Sequence, residues 1–410
     1  MANYAKLPAG ATLDIKPFTA HVDEEKLVHF KKLLELSPIG PAVFENTNAG
    51  RRYGIERDWL EHAKDVWLNN FDWRKQEVRI NSFPNFKASV KDTAGNSTEI
   101  QFLALLSEKA DAVPIAFFHG WPSSICEFLD ILDTLKQRYS PQDLPYHVIV
   151  PSLPGYAYSS GPPLDTDYGI DLAAGALNNL MVGLGFGSGY IAQGGDLGSF
   201  VSRFLAMTSD ACKGMHVNMM IPSGNPEDLP ADEQVKKAMQ KAGEFIDTGY
   251  AFALEQGTRA ATIGLALSAS PLALLCWIGE KMLAWTDEDP PLEKILEGVT
   301  LYWMTDTIPR CFYHNRGMGN PNENPKIART SVVASRAALE LPYIEKPCGY
   351  SLFAQEIVPV PKSWAAMTCN LVSFNQHEHG GHFAAMEKPN ELLTDVEEYI
   401  KRAWNPAEKD

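Results

Sequence analysis

An aspartate lies among closely spaced glycines where a predicted strand meets a predicted helix. Asp196 stands in the pattern GGDLG (194–198), between the short apolar run 190–192 and residues 199–207, which have helical apolar spacing. The glycines predict a turn too tight for β-carbons, which is the geometry of a nucleophile elbow. A carboxylate there would be stabilised by a helix N-terminus and could attack carbon to form an ester. The alternative is a glycine turn in which Asp196 only caps the helix.

Two later residues complete a set that could hydrolyse such an ester. Glu356 and His382 follow Asp196 in the chain order nucleophile, acid, base. A histidine oriented by a carboxylate is suited to deprotonate the water that cleaves the ester. The backbone N–H groups of Trp121 and Leu197 would form the oxyanion hole. Taken singly, His382 could be a helix cap and Glu356 a solvated loop acid, but together they predict a catalytic triad.

The elements that position these residues alternate between strand and helix from about residue 100 onward. The first part of this region carries a predicted helix at 172–184 and predicted strands at 100–106, 113–118, 147–151, 190–192 and 215–220. A further strand is predicted at 367–374, and residues 380–383 open a final helical run. Because the motifs follow strand ends, the pattern predicts a mostly parallel sheet with its ligand at the carboxyl edge, as in an α/β-hydrolase fold.

Two other regions lack this alternation. Residues 1–100 are predicted to contain amphipathic helices at 23–34 and 54–71 and an extended piece at 77–83. Residues 222–325 are mainly helical, and such an insertion would cover the active site as a cap. The predicted organisation is an N-terminal wrapping region (1–100), the first part of the core (101–221), a helical cap (222–325) and the second part of the core (326–410).

The composition excludes several other functions. The 410-residue chain has a net charge of −15 and a pI near 5.2, which argues against binding to nucleic acids or anionic membranes. Its six cysteines are scattered and without metal-ligand spacing, which indicates reduced thiols. No leader sequence or membrane anchor is evident. We therefore expect a soluble, cytoplasmic protein without a metal or cofactor.

The motifs resemble those of the microsomal-type epoxide hydrolases, particularly their soluble fungal members. The resemblance extends from about residue 15 to the C-terminus and includes NFDWR (70–74), HGWP (119–122), PSLPGY (151–156), QGGD (193–196) and GGHFAAME (380–387). It implies an α/β-hydrolase fold, with Asp196 as nucleophile, His382 as base and Glu356 as the acid that orients it. It also implies a small hydrophobic epoxide as substrate, a vicinal diol as product and no cofactor, and it allows a homodimer.

The sequence departs from this family at the two cap tyrosines that protonate the epoxide oxygen. Phe252 stands at the first position, and an ungapped count places Asn315 at the second, whereas Tyr250 and Tyr313 each lie two residues earlier. Two residues turn a helical side chain nearly to the opposite face, which disfavours Tyr250. A two-residue deletion in the preceding loop would bring Tyr313 into register. Tyr313 is therefore the predicted acid, with His314 as another donor.

The predicted substrate pocket contains Phe252, Asn315 and Tyr250. Because both usual tyrosine positions are changed, two alternatives to epoxide hydrolysis remain open. One is a repurposed relative that isomerises or cyclises a natural-product intermediate, with Asp196 as a base or a positioning group. The other is a catalytically silent protein that binds a hydrophobic small molecule. A covalent ester on Asp196 would distinguish the hydrolase from both.

Overall fold

The computed structural model describes residues 3–223, 230, 233–319 and 341–404. The strands are β1 (Ile15–Pro17), β2 (Asn85–Lys91), β3 (Ser97–Leu105), β4 (Val113–Phe118), β5 (Tyr146–Pro151), β6 (Tyr190–Gly194), β7 (Cys212–Val217), β8 (Ile344–Leu352) and β9 (Cys369–Gln376). The helices are α1 (Glu24–Leu36), α2 (Phe44–Thr47), α3 (Arg57–Asn69), α4 (Trp73–Ile80), α5 (Leu129–Arg138), α6 (Ile170–Met181), α7 (Asp196–Thr208), α8 (Glu233–Thr248), α9 (Ala251–Thr258), α10 (Ala260–Leu267), α11 (Pro271–Ala284), α12 (Leu292–Met304), α13 (Tyr313–Gly319), α14 (Lys362–Thr368), α15 (Ala384–Glu387) and α16 (Pro389–Ala403).

The strands form one nine-stranded sheet in the order β1-β2-β3-β5-β4-β6-β7-β8-β9. The pairs from β5 to β9 are parallel, whereas β1, β2 and β3 pair antiparallel and extend the sheet at one side. Every residue of β4 and β6 is buried, as expected for central strands that are covered on both faces. This is the mostly parallel architecture of an α/β-hydrolase fold.

One predicted element of the N-terminal region differs from the structure. The extended piece predicted at 77–83 is wrong, because residues 73–80 form α4. Asp72 caps this helix by accepting a 2.9 Å hydrogen bond from the N–H of Arg74. Its buried Trp73, Glu77 and Ile80 have helical spacing, and the Glu77 carboxylate accepts a 2.9 Å hydrogen bond from the Trp73 indole. The short segment 77–83 fits both the 3.6-residue period of a helix and the two-residue period of a strand.

Helices α8–α13 form the helical cap, which here means residues 233–319. The N-terminal helices support it: the indole N–H of Trp67 on α3 donates a 2.9 Å hydrogen bond to Thr300 on α12, and both side chains are buried. The predicted cap begins at residue 222, close to residues 224–229 and 231–232, and it ends at residue 325, within residues 320–340. These three ranges lie outside the described residues.

The length and composition of the helices indicate whether any of them could span a membrane. Among the described residues, no single helix is long and apolar enough to cross a membrane, and only α10 and α11, bent by 115° relative to each other, reach that length and composition as a pair.

The parallel strands bring four chain segments to one edge of the sheet. Trp121 follows β4, Asp196 follows β6, Glu356 follows β8 and His382 follows β9. Parallel strands end at the same edge, so segments far apart in sequence meet there, below the cap.

Candidate active site

Asp196 has a strained backbone conformation at the first position of α7, in the turn that follows β6. Its φ angle is +45°, which side-chain-bearing residues rarely adopt. A β-carbon on Gly194 would lie 2.2 Å from the carbonyl carbon of Gly198, and one on Gly198 would lie 1.9 Å from the Phe118 carbonyl oxygen. The turn therefore needs these two glycines. The side chain of Asp196 keeps 25 % of its surface exposed, which leaves its carboxylate accessible to a ligand.

Two backbone amides donate hydrogen bonds to this carboxylate. The N–H of Trp121 donates a 2.7 Å hydrogen bond to Oδ1 of Asp196, and the N–H of Leu197 also donates to the carboxylate. Burial alone would raise the pKa of Asp196, but the hydrogen bond and charge of His382 and these two amides outweigh it and lower the pKa. The side chain is therefore ionised at neutral pH.

His382 connects the two carboxylates. Its Nε2 lies 3.3 Å from Oδ2 of Asp196, and its Nδ1 lies 2.9 and 3.1 Å from the two oxygens of Glu356. The side chains of His382 and Glu356 are fully buried. Burial opposes protonation of His382, but the charge of Glu356 and the hydrogen bonds to both carboxylates raise its pKa. Because Nδ1 is closer to Glu356 than Nε2 is to Asp196, we assign the proton of the neutral ring to Nδ1.

The loop that carries His382 is fastened to the end of α11. The N–H of His382 donates a 2.9 Å hydrogen bond to the carbonyl of Trp285, and the N–H of Gly380 donates one of the same length to Asp287. Gly381 also pairs with Gln355, next to Glu356. The position of the imidazole is thus fixed by the cap as well as by the sheet.

A cavity of about 510 Å³, including its open mouth, lies above Asp196. Its walls are mainly apolar and aromatic. The ring of Phe252 stacks on Trp121 at 5.0 Å and 12°, and Trp285 meets His382 edge to face at 5.2 Å. The lining residues are Trp121, Asp196, Leu197, Phe200, Met219, Phe245, Tyr250, Phe252, Ala253, Trp285, His314, Asn315, Ile357 and Val358. Such a lining suits a hydrophobic ligand with one polar group to be fixed.

The three predicted pocket residues Phe252, Asn315 and Tyr250 all line this cavity. The expectation that Tyr250 points away from Phe252 is wrong, because both side chains line the same cavity, with Tyr250 directly before the first residue of α9. Their rings lie 6.1 Å apart. Tyr313, the predicted acid, is not brought to the cavity: it is buried, with its ring edge-on to Tyr168 at 5.2 Å.

The polar cavity residues differ in their capacity to donate a proton. The amide of Asn315 already donates to the side-chain oxygen of Gln256. Burial lowers the pKa of His314 to about 4, so this imidazole is neutral, and its Nδ1 lies 3.5 Å from the hydroxyl of Tyr156. Burial raises the pKa of Tyr250 to about 12, so it keeps its proton, and no side chain or backbone group of the described residues hydrogen-bonds its hydroxyl.

Several wall residues were not anticipated from the sequence. Phe245 and Trp285 come from the ends of cap helices, Met219 follows β7, and Ile357 and Val358 follow Glu356. Their apolar character signals burial but not which cavity they face. Within the described parts of the chain, no three His, Cys, Asp or Glu side chains are grouped as metal ligands would be.

Comparison with known proteins places this geometry in a family. The profile described as "Epoxide hydrolase N terminus" matches residues 15–128, and the one described as "alpha/beta hydrolase fold" matches residues 113–274. A Dothistroma septosporum protein named "Putative epoxide hydrolase" is 52 % identical over 410 residues, which cover 98 % of this chain and 94 % of the relative.

Two solved structures extend this likeness to three dimensions. The structure of the Aspergillus niger epoxide hydrolase superposes with a TM-score of 0.88 at 45 % identity, over 98 % of this chain and 100 % of that chain. The juvenile hormone epoxide hydrolase from the silkworm Bombyx mori shares the fold, with a TM-score of 0.81 at 21 % identity over 95 % of each chain. The chain therefore belongs to the epoxide hydrolase family within the α/β-hydrolase superfamily.

Proposed function

We propose that this protein opens hydrophobic epoxides to vicinal diols through a covalent ester on Asp196. One observation carries the proposal: a single carboxylate accepts hydrogen bonds from two backbone amides and faces a buried His382–Glu356 pair with Oδ2. Family membership and the apolar cavity support the substrate class.

In the first step, Oδ2 of Asp196 attacks an oxirane carbon and the carbon–oxygen bond of the ring breaks. Oδ1 becomes the carbonyl oxygen of the ester and stays hydrogen-bonded to the amide of Trp121, which polarises it. The amide of Leu197, which also donates to the Asp196 carboxylate, adds to this stabilisation. The low pKa of Asp196 keeps the nucleophile ionised despite its burial.

In the second step, His382 removes a proton from water, and the resulting hydroxide attacks the ester carbon of Asp196. The acyl–oxygen bond then breaks, and the leaving diol oxygen takes the proton of the new carboxyl group, which restores the Asp196 carboxylate. The proton held by His382 returns to the phenolate of the tyrosine that protonated the epoxide oxygen. Esterification removes one of the two negative charges that raise the pKa of His382. The pKa of the imidazole therefore falls when the ester forms, which favours the neutral form that a general base needs. Glu356 then stabilises the imidazolium that results.

The epoxide oxygen leaves as an alkoxide and needs a proton donor. We assign this role to Tyr250, because its hydroxyl is protonated at neutral pH, lacks a partner among the described residues and belongs to a side chain that lines the cavity with Asp196. An alkoxide is more basic than a phenolate even at this raised pKa, so the proton transfer is favourable. Tyr250 thus takes the role of general acid that the sequence had assigned to Tyr313.

The test is a single turnover with a styrene oxide-like epoxide in water labelled with heavy oxygen, followed by mass spectrometry of the peptide that contains Asp196. We expect label in the Asp196 carboxylate, because water attacks the ester carbon and not the substrate. In His382→Gln the unhydrolysed ester should accumulate as a mass increase on that peptide. Absence of both signals from folded protein, across several epoxides, would reject the ester mechanism.

A second candidate, isomerisation or cyclisation, is favoured by the replacement of both usual tyrosines by Phe252 and Asn315. In that case the product would contain no oxygen from water. The same labelled turnover therefore separates the two functions, because hydrolysis places label first in Asp196 and, over repeated turnovers, in the diol.

A further inference from the structure

A second, larger cavity lies between the cap and the sheet, away from Asp196. By the same measure as above it holds about 680 Å³, and we call it the lysine cavity because Lys237, Lys241 and Lys362 line it together with His377. Lys237 and Lys241 are one helical turn apart on α8, and Lys362 begins α14 on the opposite wall. Cations of the cap and of the core thus face one space.

The charge of this lining is opposite to that of the protein. None of the side chains that line the lysine cavity is a carboxylate, although the whole chain has a net charge of −15. Among the described residues, no ion pair joins Lys237 or Lys362 to an acid, and the ammonium of Lys362 lies only near the ring of Phe374, at 5.6 Å. Lys237 and Lys362 are exposed, so solvent screens much of their repulsion, but an anion between them would be attracted by both.

Lys241 is held in place more firmly than a surface lysine. Its ammonium donates 3.0 Å hydrogen bonds to the carbonyl of Ala354 and to the side chain of Gln355. Burial lowers its pKa, whereas the hydrogen bond from His377 to Asp395 raises the pKa of His377. The rings of His377 and Phe353 stack at 4.5 Å and give this part of the cavity a flat wall.

We propose that the lysine cavity binds a small, multiply charged oxyanion, either a phosphate ester or a polycarboxylate. The anion would accept charge-assisted hydrogen bonds from Lys237 on the cap and from Lys362 on the core. Lysine ammonium groups suit such a ligand because they act as mobile point charges.

The position of this site would connect ligand binding to the catalytic loop. Ala354 and Gln355, which Lys241 contacts, directly precede Glu356, and Ile357 and Val358 line the cavity above Asp196. An anion that bridges α8 and α14 would therefore restrain the segment that carries the triad acid. The inference does not depend on which reaction Asp196 performs.

The test uses inorganic pyrophosphate and citrate as probes, with isothermal titration calorimetry at low and high salt. We expect saturable binding that weakens as salt is added, because charged contacts are screened. The double variant Lys237→Ala/Lys362→Ala should bind at least about tenfold more weakly, since it loses two charge-assisted contacts. Binding of pyrophosphate alone would indicate a phosphate ester, and binding of both probes a general polyanion site.

The matched control is Lys31→Ala/Lys32→Ala, which removes the same charge from exposed positions on α1. It should bind the probes as the parent protein does. Equal weakening in both double variants, or heats that never saturate, would overturn the proposal. Hydrogen exchange provides a second readout: saturating pyrophosphate should protect both α8 and residues 353–362, and protection of neither wall would reject the bridge. Without anions, both double variants should keep the parent's activity.

Discussion

Gly120 lies so close to Asp196 that a β-carbon on it would be 2.3 Å from both Cβ and Oδ1 of the aspartate. The backbone at Gly120 therefore forms one wall of the space that the carboxylate occupies. The next residue, Trp121, supplies the amide that holds Oδ1. The absence of a side chain at Gly120 is thus a condition for the geometry proposed for the nucleophile.

Gly120→Ala should lower kcat about 100-fold, because the methyl group must displace the carboxylate and misplacement by about an ångström costs roughly that factor. The measurement is kcat together with the circular dichroism spectrum and Tm. Gly243→Ala is the control: a β-carbon there meets nothing within 4 Å, and in a helix the change should stabilise the protein by roughly 0.5–1 kcal/mol. A folded Gly120→Ala protein with the parent's kcat would contradict the proposed geometry.

Tyr250→Phe should lower kcat by about 10²–10⁴-fold, because the alkoxide would lose its general acid. Tyr313→Phe is the matched control, since its ring packs on Tyr168 and does not line the cavity. It should leave kcat near the parent value. The opposite ranking of the two variants would return the role to Tyr313. In Tyr250→Phe, the added change Phe252→Tyr should restore part of the rate if a hydroxyl from the neighbouring position reaches the oxygen.

Glu356→Gln should move the acidic limb of the kcat–pH profile to lower pH. Glu356 raises the pKa of His382 despite the burial of the ring, so its neutralisation lowers that pKa and leaves the base neutral at lower pH. The maximum kcat should fall by about 10²–10⁴-fold, because the imidazolium loses its partner and its orientation. Profiles measured from single-turnover ester hydrolysis give the comparison directly. An unmoved acidic limb would mean that His382 is not the titrating base.

Asp395→Asn should lower the free energy of unfolding by about 1.5–3 kcal/mol, because the buried carboxylate accepts hydrogen bonds from Ser351, Asn375 and His377. The effect should depend on pH. Burial would raise the pKa of Asp395, but its hydrogen bonds lower it from 3.8, so its stabilisation is lost as pH falls through the folded value. The same contact raises the pKa of His377 from 6.5, so that contribution is lost as pH rises through the folded value.

The difference in Tm between the parent and Asp395→Asn should therefore be largest between the two unshifted pKa values, from 3.8 to 6.5, and smaller on both sides. Scanning calorimetry across this range is the measurement. A difference in Tm that does not change with pH would indicate that packing, and not charge, accounts for the loss. Lys31→Ala, on the exposed face of α1, should show no such maximum.

The positions of Asp196 and His382 relative to each other could be predicted because each follows a predicted strand of a parallel sheet. Such strands bring their carboxyl ends to one edge whatever sequence lies between them. Glycine spacing likewise predicted the turn at Asp196. These signals are local and do not require knowledge of the packing. The strand before Glu356, β8, was not among the predicted strands, and Glu356 was chosen by its order in the chain.

The cavity walls could not be predicted in this way. Phe245 and Trp285 lie on helices whose apolar pattern indicates burial but not the cavity that they face. The orientation of Tyr250 could not be predicted because it depends on where α9 begins, and sequence patterns locate helix ends only to within one or two residues. The helix α4 was missed because a short run with buried Trp73 and Ile80 fits either period.

The hydrogen bonds from the His382 loop to Trp285 and Asp287 couple the end of α11, but not the other described cap helices, to the catalytic base. The end of α11 cannot move outward without pulling the base away from Asp196, because it bonds the His382 loop directly. Helix α8 reaches the catalytic segments through the contact of Lys241 with Ala354 and Gln355, and not at His382. Substrate entry should therefore open through α8 and α9. If a cap from another enzyme is grafted onto this core, α11 and residues 380–383 should be transferred together. Otherwise the hydrogen bonds that hold the His382 loop to Trp285 and Asp287 would be lost.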